Sequence, residues 1–121
     1  MDDEEAVREA AGEVLRHVGY NASFARDGAE AVFLYRKARE SGAPFDAVIV
    51  DLTVPGGMGG KEAVQQIAAI DPRVKAVVSS GYANDPVMAD YRRHGFSAVI
   101  TKPYSTREMG KVLRDLLGNG A

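Results

Sequence analysis

Phe45-Asp46-Ala47-Val48-Ile49-Val50-Asp51, residues 45–51, is the stretch that decides the fold. A nearly continuous apolar run of this length suits a strand buried on both faces, as in a parallel sheet. The run Phe45–Val50 stops abruptly on a carboxylate, Asp51, and nine loop-forming residues, LTVPGGMGG from Leu52 to Gly60, follow it. A carboxylate next to a buried strand is costly unless it is exposed or partnered, so its position points to a role.

Working outward, the apolar spacing predicts helices on either side of this strand. Val7, Ala11, Val14, Leu15 and Val18 share one face of a helix over residues 4–18, closed by Gly19. Residues 29–40 and 61–70 read as further helices, the second ended by Asp71-Pro72. Strands are expected at Tyr20–Ala25, a weak one, at Val74–Ser80, and at Ser97–Thr101 before Lys102-Pro103. Asp85-Pro86 opens a helix reaching His94-Gly95, with proline in a tolerated first-turn position. Ser105 caps a last helix running to Leu117, and Gly118-Asn119-Gly120 reads as a frayed end. Alternating helices and strands imply an α/β, doubly wound parallel sheet with helices on both faces. The chain begins on a helix instead of a strand.

Composition narrows the function classes. At 121 residues the chain is expected to form one domain, with no linker or repeat. Fifteen basic against seventeen acidic residues give a net charge of -2, which argues against nucleic acid as the main partner. No cysteine is present, so disulfide, zinc-thiolate and thiol chemistry are excluded. No apolar run reaches the roughly 18 residues that span a membrane, and a reducing cytoplasm fits the cysteine-free composition.

In open α/β sheets, ligands bind outside the carboxyl ends of the strands. Those ends carry Asp51, Ser80-Gly81 and Lys102-Pro103, and a strand before residue 2 would end on Asp2-Asp3. Three carboxylates exceed what one lysine balances, and a hard cation such as Mg²⁺ prefers oxygen donors of this kind. With such a metal, Asp51 can attack a phosphoryl donor, while Lys102 and the Ser80 hydroxyl neutralise the transferred oxygens. The glycines at 56, 57, 59 and 60 lack a following GK[ST], so a P-loop is not indicated and they read as a mobile loop.

The motifs DDEEAVR, VIVDLTVPGG, VVSSGYA and VITKPY, in this order, resemble the receiver domains of two-component response regulators, and most closely those of hybrid sensor histidine kinases. The resemblance implies a flavodoxin-like sheet of order 2-1-3-4-5 and a cytoplasmic phosphorelay module that is not an enzyme in its own right. It implies that Asp51 is the phosphoacceptor, that Ser80 is the switch hydroxyl and that Lys102 pairs with the phosphoryl group. It places Mg²⁺ on Asp2, Asp3, Asp51 and the Thr53 carbonyl, with Asp3 the direct ligand of the acidic pair. It also implies a cis peptide before Pro103 and a phosphohistidine donor on a sensor kinase or phosphotransfer domain. After phosphorylation the 81–84 loop would move toward the phosphate, and Thr53 and Tyr82 would tune the phosphate's lifetime.

Two departures from the family pattern stand out. The aromatic switch position, three residues before the lysine, is Val99. The first strand, central in the family's sheet, is missing, so the chain reads as truncated before Met1. Losing a central strand forfeits several backbone hydrogen bonds at roughly 1 kcal/mol each and two or three buried side chains at about 1.5–3 kcal/mol each. That approaches the roughly 5–15 kcal/mol stability of a whole domain. Repair is expected either by direct pairing of Tyr20–Ala25 with Phe45–Val50 or by a strand from another chain, giving a strand-exchanged or strand-complemented dimer. Two other functions compete: a degenerate receiver that binds partners without being phosphorylated, and a Mg²⁺-dependent aspartyl-phosphate phosphohydrolase. The latter needs a second aspartate where this chain has Thr53.

Overall fold

The computed structural model describes residues 1–81 and 85–117. Helix α1 (Glu5–His17) and helix α2 (Gly28–Glu40) precede strand β1 (Val48–Asp51). Helix α3 (Gly60–Ile70), strand β2 (Ala76–Ser80), the short helix α4 (Pro86–Ala89), a 3-10 turn (Tyr91–His94), strand β3 (Ala98–Thr101) and helix α5 (Thr106–Leu117) follow. The sheet is parallel, ordered β1-β2-β3, with Val50 opposite Val78 and Ser79 opposite Ile100.

Both faces of the sheet are covered, as the apolar run at 45–50 requires. On one side Val50 and Val78 pack with Val64 of α3, Met88 and Phe96. On the other, Val77 and Ile100 pack with Met109 and Leu113 of α5, joined by Val14 and Leu15 of α1. The ends are set locally. Asp27 caps α2 by accepting from the Glu30 N–H at 2.9 Å. Ser105 and Glu108 form a reciprocal capping box at the start of α5, with bonds of 3.1 and 3.2 Å. The peptide before Pro103 is cis, as the family resemblance implied.

The structure corrects three expectations. Tyr20–Ala25 is not a strand, so among the described residues the sheet has three strands instead of four. Nor does that segment pair directly with β1. Met1 and Asp2 lie between them: the Met1 nitrogen donates to Ile49 O at 2.6 Å and the Asp51 N–H to Met1 O at 2.9 Å. On the far side the Asp2 N–H reaches Ala25 O at 3.0 Å. Among the described residues no strand pairs with residues 20–24. Finally, the 86–94 helix breaks at Asp90 into α4 and the 3-10 turn, since Met88 alone on it is buried and cannot anchor a longer helix.

The loop after Asp51 is tighter than a freely mobile glycine tract. A Cβ on Gly60 would lie 2.7 Å from Asp51 O and 2.9 Å from a Val50 methyl carbon. One on Gly59 would lie 2.6 Å from Leu52 O. These two glycines bring the start of α3 against the end of β1 and fix the backbone around Asp51. The expected frayed end at 118–120 and the positions of Tyr82, Ala83 and Asn84 lie outside the described residues.

Candidate functional site

Asp51 ends β1, Ser80 ends β2, and Lys102 follows β3, so the parallel register carries all three to the same edge of the sheet. The remaining acids arrive on the Met1–Asp2 segment and the entrance to α1. A cleft of about 400 Å³ opens there, lined by Asp3, Glu4, Asp51, Thr53, Ser80 and Lys102, with Pro55 and Gly81.

The Lys102 ammonium sits between two carboxylates, 2.6 Å from Asp2 Oδ2 and 3.4 Å from Asp51 Oδ1. Asp2 and Asp51 are buried, at 6% and 7% exposure. Asp2 is held at both oxygens, since its Oδ1 accepts from the Glu4 N–H at 3.0 Å. It therefore belongs both to the helix entrance and to the charged cluster. The Arg8 guanidinium adds a bond to Asp2 O at 2.9 Å.

Burial pushes the Asp51 carboxyl above the usual carboxylate range. The Lys102 charge opposes this, the Asp2 charge reinforces it, and the Thr53 N–H pulls it back. Lys102 is pulled down by burial, but its hydrogen bond to Asp2 and the charges of Asp51 and Asp2 outweigh that and raise it. The cleft thus favours a charged lysine facing a carboxylate whose ionisation is held back by its surroundings.

The sequence reading singled out Asp2, Asp3, Asp51, Thr53, Ser80 and Lys102. The structure gathers Asp3, Asp51, Thr53, Ser80 and Lys102 around the cleft and sets Asp2 behind them, on Lys102. It adds Glu4, which reads in the sequence as one more helix-start acid. Asp2, Asp3 and Glu4 place carboxylate oxygens within 4.8 Å of one another. The run of four acids at 2–5 was the signal, but only the turn into α1 selects Glu4 from it.

The donor set fits a hard cation. Lys102 is shared by Asp2 and Asp51, and no ion pair engages Asp3 or Glu4 among the described residues. Negative charge is in excess, every donor atom is oxygen, and the cleft is open to water, which are the conditions Mg²⁺ requires.

Comparison with known proteins places this arrangement. A response regulator receiver protein of Anaeromyxobacter sp. (strain Fw109-5) is 37% identical over 103 residues, covering 85% of this chain and 41% of that protein. Sensor kinase CckA of Brucella abortus (strain 2308) is 26% identical over 117 residues, covering 97% of this chain and 12% of that protein. The chain therefore spans about two fifths and about one eighth of these relatives' lengths. The fold matches the receiver domain of sensor histidine kinase PA1611 from Pseudomonas aeruginosa PAO1, solved with a magnesium ion coordinated in its active site cleft. The TM-score is 0.84 at 22% identity, over 98% of this chain and 94% of that one. The family model for the response regulator receiver domain matches residues 1–114. With the sheet, the charged edge and the sequence match in agreement, the chain belongs to the response regulator receiver domain family of two-component signalling.

Proposed function

We propose that this receiver accepts a phosphoryl group on Asp51 from a phosphohistidine of a sensor kinase or a histidine phosphotransfer domain. The observation that carries the reading is the placement of Asp51 at the end of β1, in the same cleft as Ser80, Asp3 and Glu4, with the Lys102 ammonium 3.4 Å from its Oδ1.

Asp3, Asp51 and the Thr53 carbonyl, with Glu4 beside them, would hold Mg²⁺, and Asp2 would act through Lys102. When bound, the cation supplies positive charge to a phosphoryl oxygen. The chain's own residues do the rest. An Asp51 carboxylate oxygen attacks phosphorus, an O–P bond forms and the P–N bond to the donor imidazole breaks, that nitrogen taking a proton. Lys102 neutralises a second oxygen, and the Ser80 hydroxyl donates to a third. Lys102 is then drawn from Asp2 toward the phosphoryl group, which adds about 1.5 to 2 negative charges at one point. Val99 in the aromatic switch position leaves the signal to be carried by backbone movement around Ser80 and β3.

A degenerate receiver that works without phosphorylation is the second reading, favoured by the short Asp2–Lys102 contact. Incubation with Mg²⁺ and acetyl phosphate, read by intact mass, separates the two. A single phosphoryl adduct that Asp51→Asn abolishes is the expected result. No adduct, even from a phosphohistidine donor, would sink the phosphoacceptor reading. Rapid multiple-turnover phosphate release would point to a hydrolase.

A further inference from the structure

The motif DDEEAVR ends on a residue to which the phosphoacceptor reading gives no task, Arg8. Its guanidinium Nη1 donates to Asp2 O at 2.9 Å, six residues back along the chain. We propose, taking Mg²⁺ to bind this cleft as in the phosphoacceptor reading, that Arg8 is a positioning residue for the cation. By holding the Asp2–Asp3 peptide it aims the Asp3 carboxylate into the cleft.

The two aspartates have different tasks, and the peptide between them keeps the tasks apart. The Asp2 carboxylate grips Lys102 at 2.6 Å, whereas Asp3 is exposed and lines the cleft. A peptide unit is planar, so fixing Asp2 O also fixes the Asp3 N–H and the direction in which Asp3 leaves the segment. Arg8 is well placed to do this. Its backbone N–H bonds Glu4 O at 3.0 Å, which anchors its Cα on the first turn of α1. Side chains on a helix lean toward its N-terminus, so a long one here runs back over that turn to Asp2. The half-buried guanidinium keeps its charge at every accessible pH and presents rigid donors.

Stabilising the helix does not account for an arginine at this place. The entrance to α1 is already closed by the Glu4 N–H, which donates to Asp2 Oδ1 at 3.0 Å. A cation near a helix N-terminus opposes the helix dipole. It also repels a divalent ion held by Asp3 and Glu4. Charge alone therefore says that removing Arg8 tightens Mg²⁺ binding. Positioning says that removing it weakens Mg²⁺ binding, and the two effects have opposite signs.

The test is calorimetric titration of the 121-residue protein with MgCl₂ alone. Arg8→Met keeps most of the stem and removes both charge and donors, and its Mg²⁺ affinity is expected to fall roughly tenfold. Arg8→Lys still reaches Asp2 O with one donor and is expected to stay within about threefold of the parent. With acetyl phosphate added, the Mg²⁺ concentration for half-maximal labelling of Asp51 in Arg8→Met rises by the same factor, while the rate at saturating Mg²⁺ returns to the parent's. Unchanged or tighter Mg²⁺ binding by Arg8→Met, a rate loss that persists at saturating Mg²⁺, or a parent protein that binds no Mg²⁺ would each overturn the inference. If Arg8→Met fails to fold, NMR of the unmodified protein decides. Resolved Arg8 Nη proton signals that shift with Mg²⁺ support the inference, and averaged signals indifferent to Mg²⁺ overturn it. The calorimetry needs no phosphodonor, so Arg8-dependent Mg²⁺ binding without an Asp51 adduct would sustain this inference while the phosphoacceptor reading fails. An adduct with Arg8-independent Mg²⁺ binding would do the reverse.

Discussion

Replacing Lys102 by methionine removes one charge while keeping most of the stem's volume, and its cost follows from the distances. The ammonium is 2.6 Å from Asp2 and 3.4 Å from Asp51, and the three side chains are 19%, 9% and 10% exposed. Removing one partner of a buried ion pair costs about 3–5 kcal/mol, because the other is left uncompensated. Here two carboxylates lose their shared partner, which pushes the figure up, while residual exposure and protonation pull it down. We expect a loss of about 2–4 kcal/mol at pH 7. At roughly 3–5 °C per kcal/mol for a domain of this size, the melting temperature falls by about 10 °C. The pH dependence identifies the cause. Burial already raises the Asp51 carboxyl and the Lys102 charge opposes this, so without the lysine the penalty on Asp51 is absent below about pH 4 and grows as pH rises. Urea unfolding of the variant and the parent at pH 4 and pH 7 measures this. Asp51→Asn in the Lys102→Met background is expected to recover much of the loss, since it removes one stranded charge. A loss below about 0.5 kcal/mol at pH 7, or one equal at both pH values, would mean that Lys102 does not hold these carboxylates together.

Three further outcomes follow from the same geometry. Asp51→Asn alone is expected to stabilise the fold at neutral pH: a carboxyl raised by burial loses stability as pH climbs past its unfolded value. The gain should therefore vanish below about pH 4, which thermal melts across pH will show. Gly60→Ala forces a Cβ to 2.7 Å from Asp51 O. Overpacking of this kind costs about 1–3 kcal/mol, and acetyl phosphate labelling of Asp51 should slow with it, since the shifted atom is its own carbonyl. Ser105→Ala removes one half of the capping box on α5 and should cost about 1 kcal/mol in urea unfolding, with labelling unchanged.

The buried strand β1, the helices at both ends and the charged strand ends were legible because each rests on a local rule. Val48–Val50 is apolar without interruption, Ser105 and Glu108 stand at capping-box spacing, Asp51 and Ser80 each close a strand, and Lys102 directly follows one. What was not legible depends on neighbours distant in sequence. Tyr20–Ala25 has strand-like composition, but a strand needs a partner, and only Ala25 meets one. Asp85–His94 has a helix start, yet one buried methionine cannot hold ten residues helical. Glu4 differs from its acidic neighbours only through the turn that brings it beside Asp2 and Asp3.

The Met1 bridge to β1 and the charged edge are mechanically one object, and Asp2 joins them. Its backbone N–H reaches Ala25 O, its neighbour Met1 bridges β1, and its carboxylate grips Lys102. The position of that carboxylate is thus set by three backbone bonds beside β1, each worth roughly 1 kcal/mol. Whatever orders this segment also orders the partner of Lys102. By linkage the converse holds to the same degree: weakening the Asp2–Lys102 contact loosens the hold of Met1 on β1. On the proposed phosphorylation of Asp51, drawing Lys102 away from Asp2 would therefore loosen the Met1 bridge to β1.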